Sequence, residues 1–171
     1  MKKFFYTFAF ILCALMTLQA ETMVVATYNL RNANGGDSTN GNGWGQRYPY
    51  IAQIVQFHGF DIFGTQEGKY PQLQDLKQAM PGYDYIGVGR DDGKQAGEHS
   101  AIFYRTDKFE VLEHGDFWLS EITDRPNAGT PFCPVSVRGA SFGTNRPASL
   151  SCSSTFIWIM SAYKPVPRAL S

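Results

Sequence analysis

Two short apolar segments end in polar residues, with a helical pattern between them, and this arrangement most constrains the fold. The first is Met23-Val24-Val25-Ala26-Thr27-Tyr28-Asn29 and the second is Asp61-Ile62-Phe63-Gly64-Thr65-Gln66-Glu67. Ile62 and Phe63 are apolar, Thr65 favours extended backbone, and Gly64 lets a neighbouring backbone approach. Over residues 48–57, Ile51, Ile54 and Val55 recur at helical spacing, Pro49 suits a first turn, and His58-Gly59 ends the pattern. His58 reads as a helix C-terminal residue beside the negative end of the dipole rather than as a ligand. Strand, helix, strand over this length predicts a βαβ-like or split unit and an α/β fold.

Ligands of open α/β sheets bind outside the carboxyl ends of the strands. Asn29 and Glu67 both sit at such ends. An amide oxygen and a carboxylate oxygen converging there suit Mg²⁺, which takes hard oxygen ligands and keeps several waters. The residues alone leave a plainer alternative open, with Glu67 an ordinary loop carboxylate and Asn29 a turn former.

Residues 32–45 are rich in Asn and Gly and predict a long mobile loop beside Asn29. It would carry substrate contacts or be a tolerated surface insertion. Residues 71–80 predict a second helix with Leu73, Leu76 and Met80 on one face, stopped by Pro81-Gly82. Residues 83–89 alternate as a strand and lead into the turn Arg90-Asp91-Asp92-Gly93. Arg90 could clamp a phosphate oxygen bidentately, or pair with Asp91, Asp92 or solvent. Residues 99–105 form an apolar strand, Asp107-Lys108 a tight turn, and residues 109–113 are expected to pair back as a hairpin. Trp118, in the run Phe117-Trp118-Leu119, suits core or cleft wall.

At the N-terminus, Lys2 and Lys3, an apolar run and Gln19-Ala20 have the pattern of a secretory signal peptide over residues 1–20. The run is short for a membrane anchor. Export to the periplasm or medium is expected. Cleavage would remove two lysines and no acids, leaving 13 Lys+Arg against 15 Asp+Glu, a net charge of −2. Strong general attraction to nucleic acid is not indicated by such a balance.

Five segments in order resemble the endonuclease/exonuclease/phosphatase superfamily, which has the DNase-I-like fold, and its secreted bacterial members in particular. They are Thr27-Tyr28-Asn29-Leu30-Arg31, Gly64-Thr65-Gln66-Glu67, Gly87-Val88-Gly89-Arg90-Asp91-Asp92-Gly93, Gly97-Glu98-His99-Ser100-Ala101-Ile102-Phe103-Tyr104-Arg105 and Phe117-Trp118-Leu119-Ser120-Glu121. The resemblance implies a two-sheet α/β sandwich flanked by helices, with residues 21–128 matching its N-terminal half. It implies metal-dependent hydrolysis of a phosphoester, of phosphodiesterase, phosphatase or nuclease type, with Mg²⁺ or Mn²⁺ as cofactor. Glu67 would be the metal ligand with Asn29 beside it, Glu98 would face the substrate cleft, and Arg90 would bind substrate. The partner would be a phosphorylated small molecule or a phosphodiester, and the protein a monomer. The residues by themselves give Glu98 no assignment.

Beyond Asn127 the composition changes. All 15 acidic residues precede Thr130, and the tail holds five of the nine prolines and both cysteines outside the signal segment, Cys133 and Cys152. No period survives there beyond a few residues, which predicts an irregular, poorly ordered tail over residues 129–171. Members of the resembled family continue at this point with Trp-Asp-Ala-x-Leu-Pro-Arg and later show His-x-Asp-His. Reading the tail's codons one base earlier permits both motifs. At Trp158-Ile159 the shifted codon is GAT, so its Asp is forced. The expectation is a frameshift near codon 128. In the family that His assists the phosphoryl centre, an Asp-x-Asn orients the attacking water, and a terminal Asp-His completes the site. None has a counterpart in residues 130–171 as written. The reading is therefore an incomplete, inactive copy lacking most of its second sheet, with an exposed apolar face and a partly molten body. An exported, non-catalytic domain binding a ligand or cation is the alternative. Out of frame, the two cysteines would form no designed bridge.

Overall fold

The structure is a computed structural model that describes residues 22–118, 136–144 and 155–161. The elements run β1 (Val25–Asn29), α1 (Gly35–Thr39), α2 (Trp44–His58), β2 (Ile62–Lys69), α3 (Tyr70–Ala79), β3 (Tyr83–Ile86), β4 (Glu98–Arg105), β5 (Phe109–Trp118), β6 (Ser136–Thr144) and β7 (Thr155–Ser161). The signal-segment reading, and Cys133 and Cys152, lie outside the described residues. Among the described residues, no helix is long and apolar enough to cross a membrane.

The first sheet has the order β1-β2-β4-β3. β1 and β2 are parallel, with Asn29 opposite Gln66, and α2 makes the crossover between them. β4 runs antiparallel between β2 and β3. The second sheet has the order β5-β6-β7. This is the α/β sandwich with helices flanking one sheet that the sequence predicts.

Period and burial agree in α2 and α3. Ile51, Ala52 and Val55 of α2 and Leu73 and Leu76 of α3 are buried together with Phe63 and Phe103 of the first sheet. On the opposite face Ile62 and Ile102 meet Phe109, Ala140 and Phe142 of the second sheet. Alternation along β2 and β4 thus sends neighbouring side chains into two separate cores.

Four expectations differ from the structure. The strand after Asp107-Lys108 does not pair back on β4, because both edges of β4 are already taken by β2 and β3. It crosses to the second sheet and pairs with β6, with Phe109 opposite Thr144. The segment 32–45 is not one long mobile loop. Asn34 caps α1 by accepting from Asp37 N–H at 2.9 Å, and α2 begins at Trp44, where Gln46 Oε1 accepts from Gly43 N–H at 2.7 Å. Pro49 accordingly lies inside α2 rather than in its first turn. Two stretches of the tail are strands, β6 and β7, built from segments such as Phe156-Ile157-Trp158-Ile159 that favour extended backbone. A three-stranded second sheet therefore covers the first over β2 and β4. The expected uncovered apolar face is, among the described residues, partly covered: Val25 at the β1 edge is 49% exposed while Ile62 opposite it is fully buried.

Candidate phosphoester site at two strand ends

The end of β1 is fixed by Leu30, which is fully buried and whose N–H donates to the Gln66 carbonyl at 3.0 Å. The chain then reverses through Arg31, at φ 53°, whose N–H donates to Asn29 Oδ1 at 2.7 Å. Asn29 is thus held by its own turn.

β2 breaks register between Thr65 and Gly68. Within that bulge Glu67 has φ 61°, a left-handed conformation that costs a side-chain-bearing residue about 1–2 kcal/mol. Gly68 follows, and a side chain there would press on two buried leucines. A Cβ there would lie 2.9 Å from Leu30 Cδ1 and 3.0 Å from Leu73 Cδ2. Bulges re-aim side chains, and this one brings Glu67 Oε1 to 2.9 Å from the Asn29 Nδ2 that donates to it.

Glu98 and Arg90 form a second pair. Arg90 Nη1 donates to Glu98 Oε2 at 2.9 Å, and its Nε lies 3.3 Å from Asp91 Oδ1. The indole N–H of Trp118 donates to the Arg90 carbonyl at 2.9 Å, so Trp118 ties β5 to the turn that carries Arg90. Glu98 is only 5% exposed, and its other oxygen accepts from Asn32 Nδ2 at 2.8 Å. Asn32 also directs its backbone N–H at Glu67 Oε2, at 3.4 Å. All four residues singled out in the sequence therefore fall in two contacting pairs, Asn29 with Glu67 and Arg90 with Glu98, and Asn32 spans the pairs.

Sequence reasoning missed Asn32 and the residues that brace its loop. Arg31 pairs with Asp37 at 2.6 Å, and this hydrogen bond holds the Asp37 carboxyl down at about 2. Arg47 Nη1 donates to the Leu30 carbonyl at 2.6 Å and its Nη2 to the Arg31 carbonyl at 3.1 Å. Gln72, 1% exposed, accepts from the backbone N–H of Ala33 and of Lys69. The one available signal was Gln72 at the third position of α3, where a Gln often caps a helix; Lys69 at the cap position hid it.

The chemistry of the donor set suits a hydrated divalent ion. Glu67 offers a carboxylate, whereas Asn29 turns its Nδ2 to that carboxylate and its Oδ1 to the Arg31 N–H, so the two oxygens expected to converge do not. Among the described residues no three His, Cys, Asp or Glu side chains gather. A single carboxylate held by an amide N–H suits a divalent ion that retains most of its waters, such as Mg²⁺ or Mn²⁺, and not a dehydrated all-protein cage.

No protein-family model matches the chain. Solved structures do. A mannosyl-6-phosphatase of Bacteroides thetaiotaomicron is 64% identical with a TM-score of 0.70, over 72% of this chain and 46% of that one. A second protein of that organism, described as an endonuclease/exonuclease/phosphatase family protein, is 57% identical with a TM-score of 0.75, over 82% of this chain and 49% of its own. An endonuclease/exonuclease/phosphatase protein of Bacteroides vulgatus is 37% identical with a TM-score of 0.70, covering 82% and 52%. The chain spans about half the length of these structures. Fold and matched neighbours together define the class: an α/β sandwich shared with phosphoester hydrolases. The chain belongs to the endonuclease/exonuclease/phosphatase superfamily, with the DNase-I-like architecture.

Proposed function

We propose that the protein is a divalent-cation-dependent phosphoester hydrolase, with Glu67 holding the cation and Asn29 beside it, acting on a phosphorylated sugar. The observation that carries this reading is the 2.9 Å contact between the Asn29 amide and the Glu67 carboxylate at neighbouring strand ends. The 64% identity to a mannosyl-6-phosphatase supports the substrate class, and the net charge of −2 after signal cleavage disfavours a long polyanion. Export through residues 1–20 belongs to the same reading.

Each residue has a definite task. Asn29 Nδ2 fixes one Glu67 oxygen and leaves the other toward Asn32. Bound Mg²⁺ or Mn²⁺ would polarise a phosphoryl oxygen and offset charge on the leaving oxygen. Arg90 is charge-paired with Glu98 and lies beside Asp91, so its part is to hold Glu98 in place rather than to supply net positive charge. The test is hydrolysis of mannose 6-phosphate and of p-nitrophenyl phosphate with and without Mg²⁺. Turnover that needs the metal and falls at least ~100-fold in Glu67→Ala supports the reading. Equal turnover in Glu67→Ala overturns it.

A second reading is a cation-binding domain without turnover. It is favoured by the sequence, because the His-x-Asp-His, Asp-x-Asn and terminal Asp-His motifs of the family have no counterpart in residues 130–171 as written. Mn²⁺ binding that depends on Glu67, with no hydrolysis, separates this reading from the first. A frameshifted copy of the hydrolase of the first reading would carry its missing motifs in the alternative frame beyond codon 128. The coding DNA tests that directly: no His-x-Asp-His in the shifted frame ends the idea.

A further inference from the structure

Gln72 is a neutral amide buried under the site, at 1% exposure, on the first turn of α3. Its hydrogen bonds run to both strand-end loops at once. Nε2 donates to the Arg31 carbonyl at 3.2 Å. Oε1 accepts from Ala33 N–H at 2.9 Å and from Lys69 N–H at 3.1 Å. Arg31 and Ala33 flank Asn32, so the amide grips the peptide on either side of a residue that contacts both Glu67 and Glu98. Lys69 lies two residues beyond Glu67, just past the bulge that turns the carboxylate outward.

We infer that Gln72 is a positioning residue that sets the cation affinity of the Glu67 carboxylate by clamping the β1 loop to the β2 loop. This rests on the reading of Glu67 as the cation ligand. The physical case is one of matching. A neutral amide offers a donor and an acceptor together, and this position uses both. A carboxylate keeps the two acceptor bonds but would face the Arg31 carbonyl with an oxygen. An aliphatic side chain of similar size fills the volume and satisfies none of the three backbone groups. Either change frees Asn32 to shift away from Glu67 Oε2, while the apolar contacts of Leu73 and Leu76 still dock α3. Groups that orient a metal ligand from behind are typically worth ~10–100-fold in affinity.

The test measures Mn²⁺ binding by electron paramagnetic resonance on the full chain, for wild type, Glu67→Gln, Gln72→Leu and Gln72→Glu, with circular dichroism of each. The expected result is native spectra throughout, Mn²⁺ affinity lowered ~10-fold or more in Gln72→Leu, and an intermediate loss in Gln72→Glu. Hydrogen exchange at the Ala33 and Lys69 amides should speed up in Gln72→Leu. Wild-type affinity in a folded Gln72→Leu overturns the inference. Should Gln72→Leu not fold, wild-type affinity in Gln72→Glu, which loses a single hydrogen bond, overturns it instead. The Glu67→Gln arm reports on the underlying reading alone: if the wild type binds no Mn²⁺, or Glu67→Gln binds it equally, the cation reading falls and this inference with it.

Discussion

The Glu67 carboxylate meets the Asn29 amide at 2.9 Å only because Glu67 occupies left-handed backbone at φ 61° inside a bulge of β2. The conformation is one that glycine tolerates and other residues resist. Glu67→Gly should therefore be more stable than Glu67→Ala by about 1 kcal/mol, although both lack the carboxylate. Urea unfolding of the two variants checks this. A Glu67→Ala variant as stable as Glu67→Gly would mean that the bulge carries no backbone strain.

Asp61 anchors the start of the same strand from the opposite end. Its carboxylate is nearly fully buried, accepts from Val24 N–H at 2.9 Å and from Lys108 Nζ at 2.7 Å, and lies 3.9 Å from Arg105 Nη1. One side chain thus joins β1, β2 and the turn after β4. Asp61→Ala strands a half-buried N–H and an incompletely exposed ammonium, and should cost about 3 kcal/mol. Asp61→Asn keeps an acceptor for Val24 and should cost roughly half of that. Urea midpoints at neutral pH decide. A loss below about 0.5 kcal/mol in Asp61→Ala would remove Asp61 as an anchor.

The parts of this fold that are legible in the sequence are those set by neighbours along the chain. Ile51 and Val55 declare a helix face, and the strand ending in Glu67 declares a carboxylate at a sheet end. Features set across the chain are not legible. Nothing in residues 99–113 says that β2 and β3 will occupy both edges of β4, so a hairpin is the natural reading there and the structure departs from it. The Asn-rich segment looks mobile until Arg47 and Gln72, 16 to 41 residues away from the carbonyls they hold, are brought against it. Asn32 likewise gains meaning only once Glu67 and Glu98, 35 and 66 residues on, converge on it.

The Arg31–Asp37 pair gives the loop a pH range. The Arg31 hydrogen bond lowers the Asp37 carboxyl from 3.8 to about 2. A lowered carboxyl stabilises the loop above its ordinary value, and that contribution disappears as pH falls through the folded one. The Asp37 carboxyl resonance should titrate near pH 2 in the wild type and return toward 3.8 in Arg31→Gln. An unshifted midpoint in Arg31→Gln would show that another group holds Asp37.

His99 sets the opposite end of the useful range. It lies in β4 opposite Gly68, is 1% exposed, and has the Tyr70 ring at 6.4 Å. Neither ring nitrogen makes a well-formed hydrogen bond, although backbone groups of Gly97, Gly68 and Lys94 lie close to the ring. Burial pushes its pKa below 6.5, opposed more weakly by the backbone of Gly97, Gly68 and Lys94 and by the charge of Asp92. The unfolded chain takes up a proton near pH 6.5, whereas the folded chain takes it up only at lower pH. Between those values the unfolded state binds more protons, so stability falls as pH drops below about 6.5 and is restored above it. Replacing His99 by Phe keeps a ring in the cavity and removes the titration. The urea midpoint should drop between pH 7.5 and 5.5 in the wild type, and by clearly less in His99→Phe. An identical drop in both would assign the acid sensitivity to other groups and leave His99 a packing residue only.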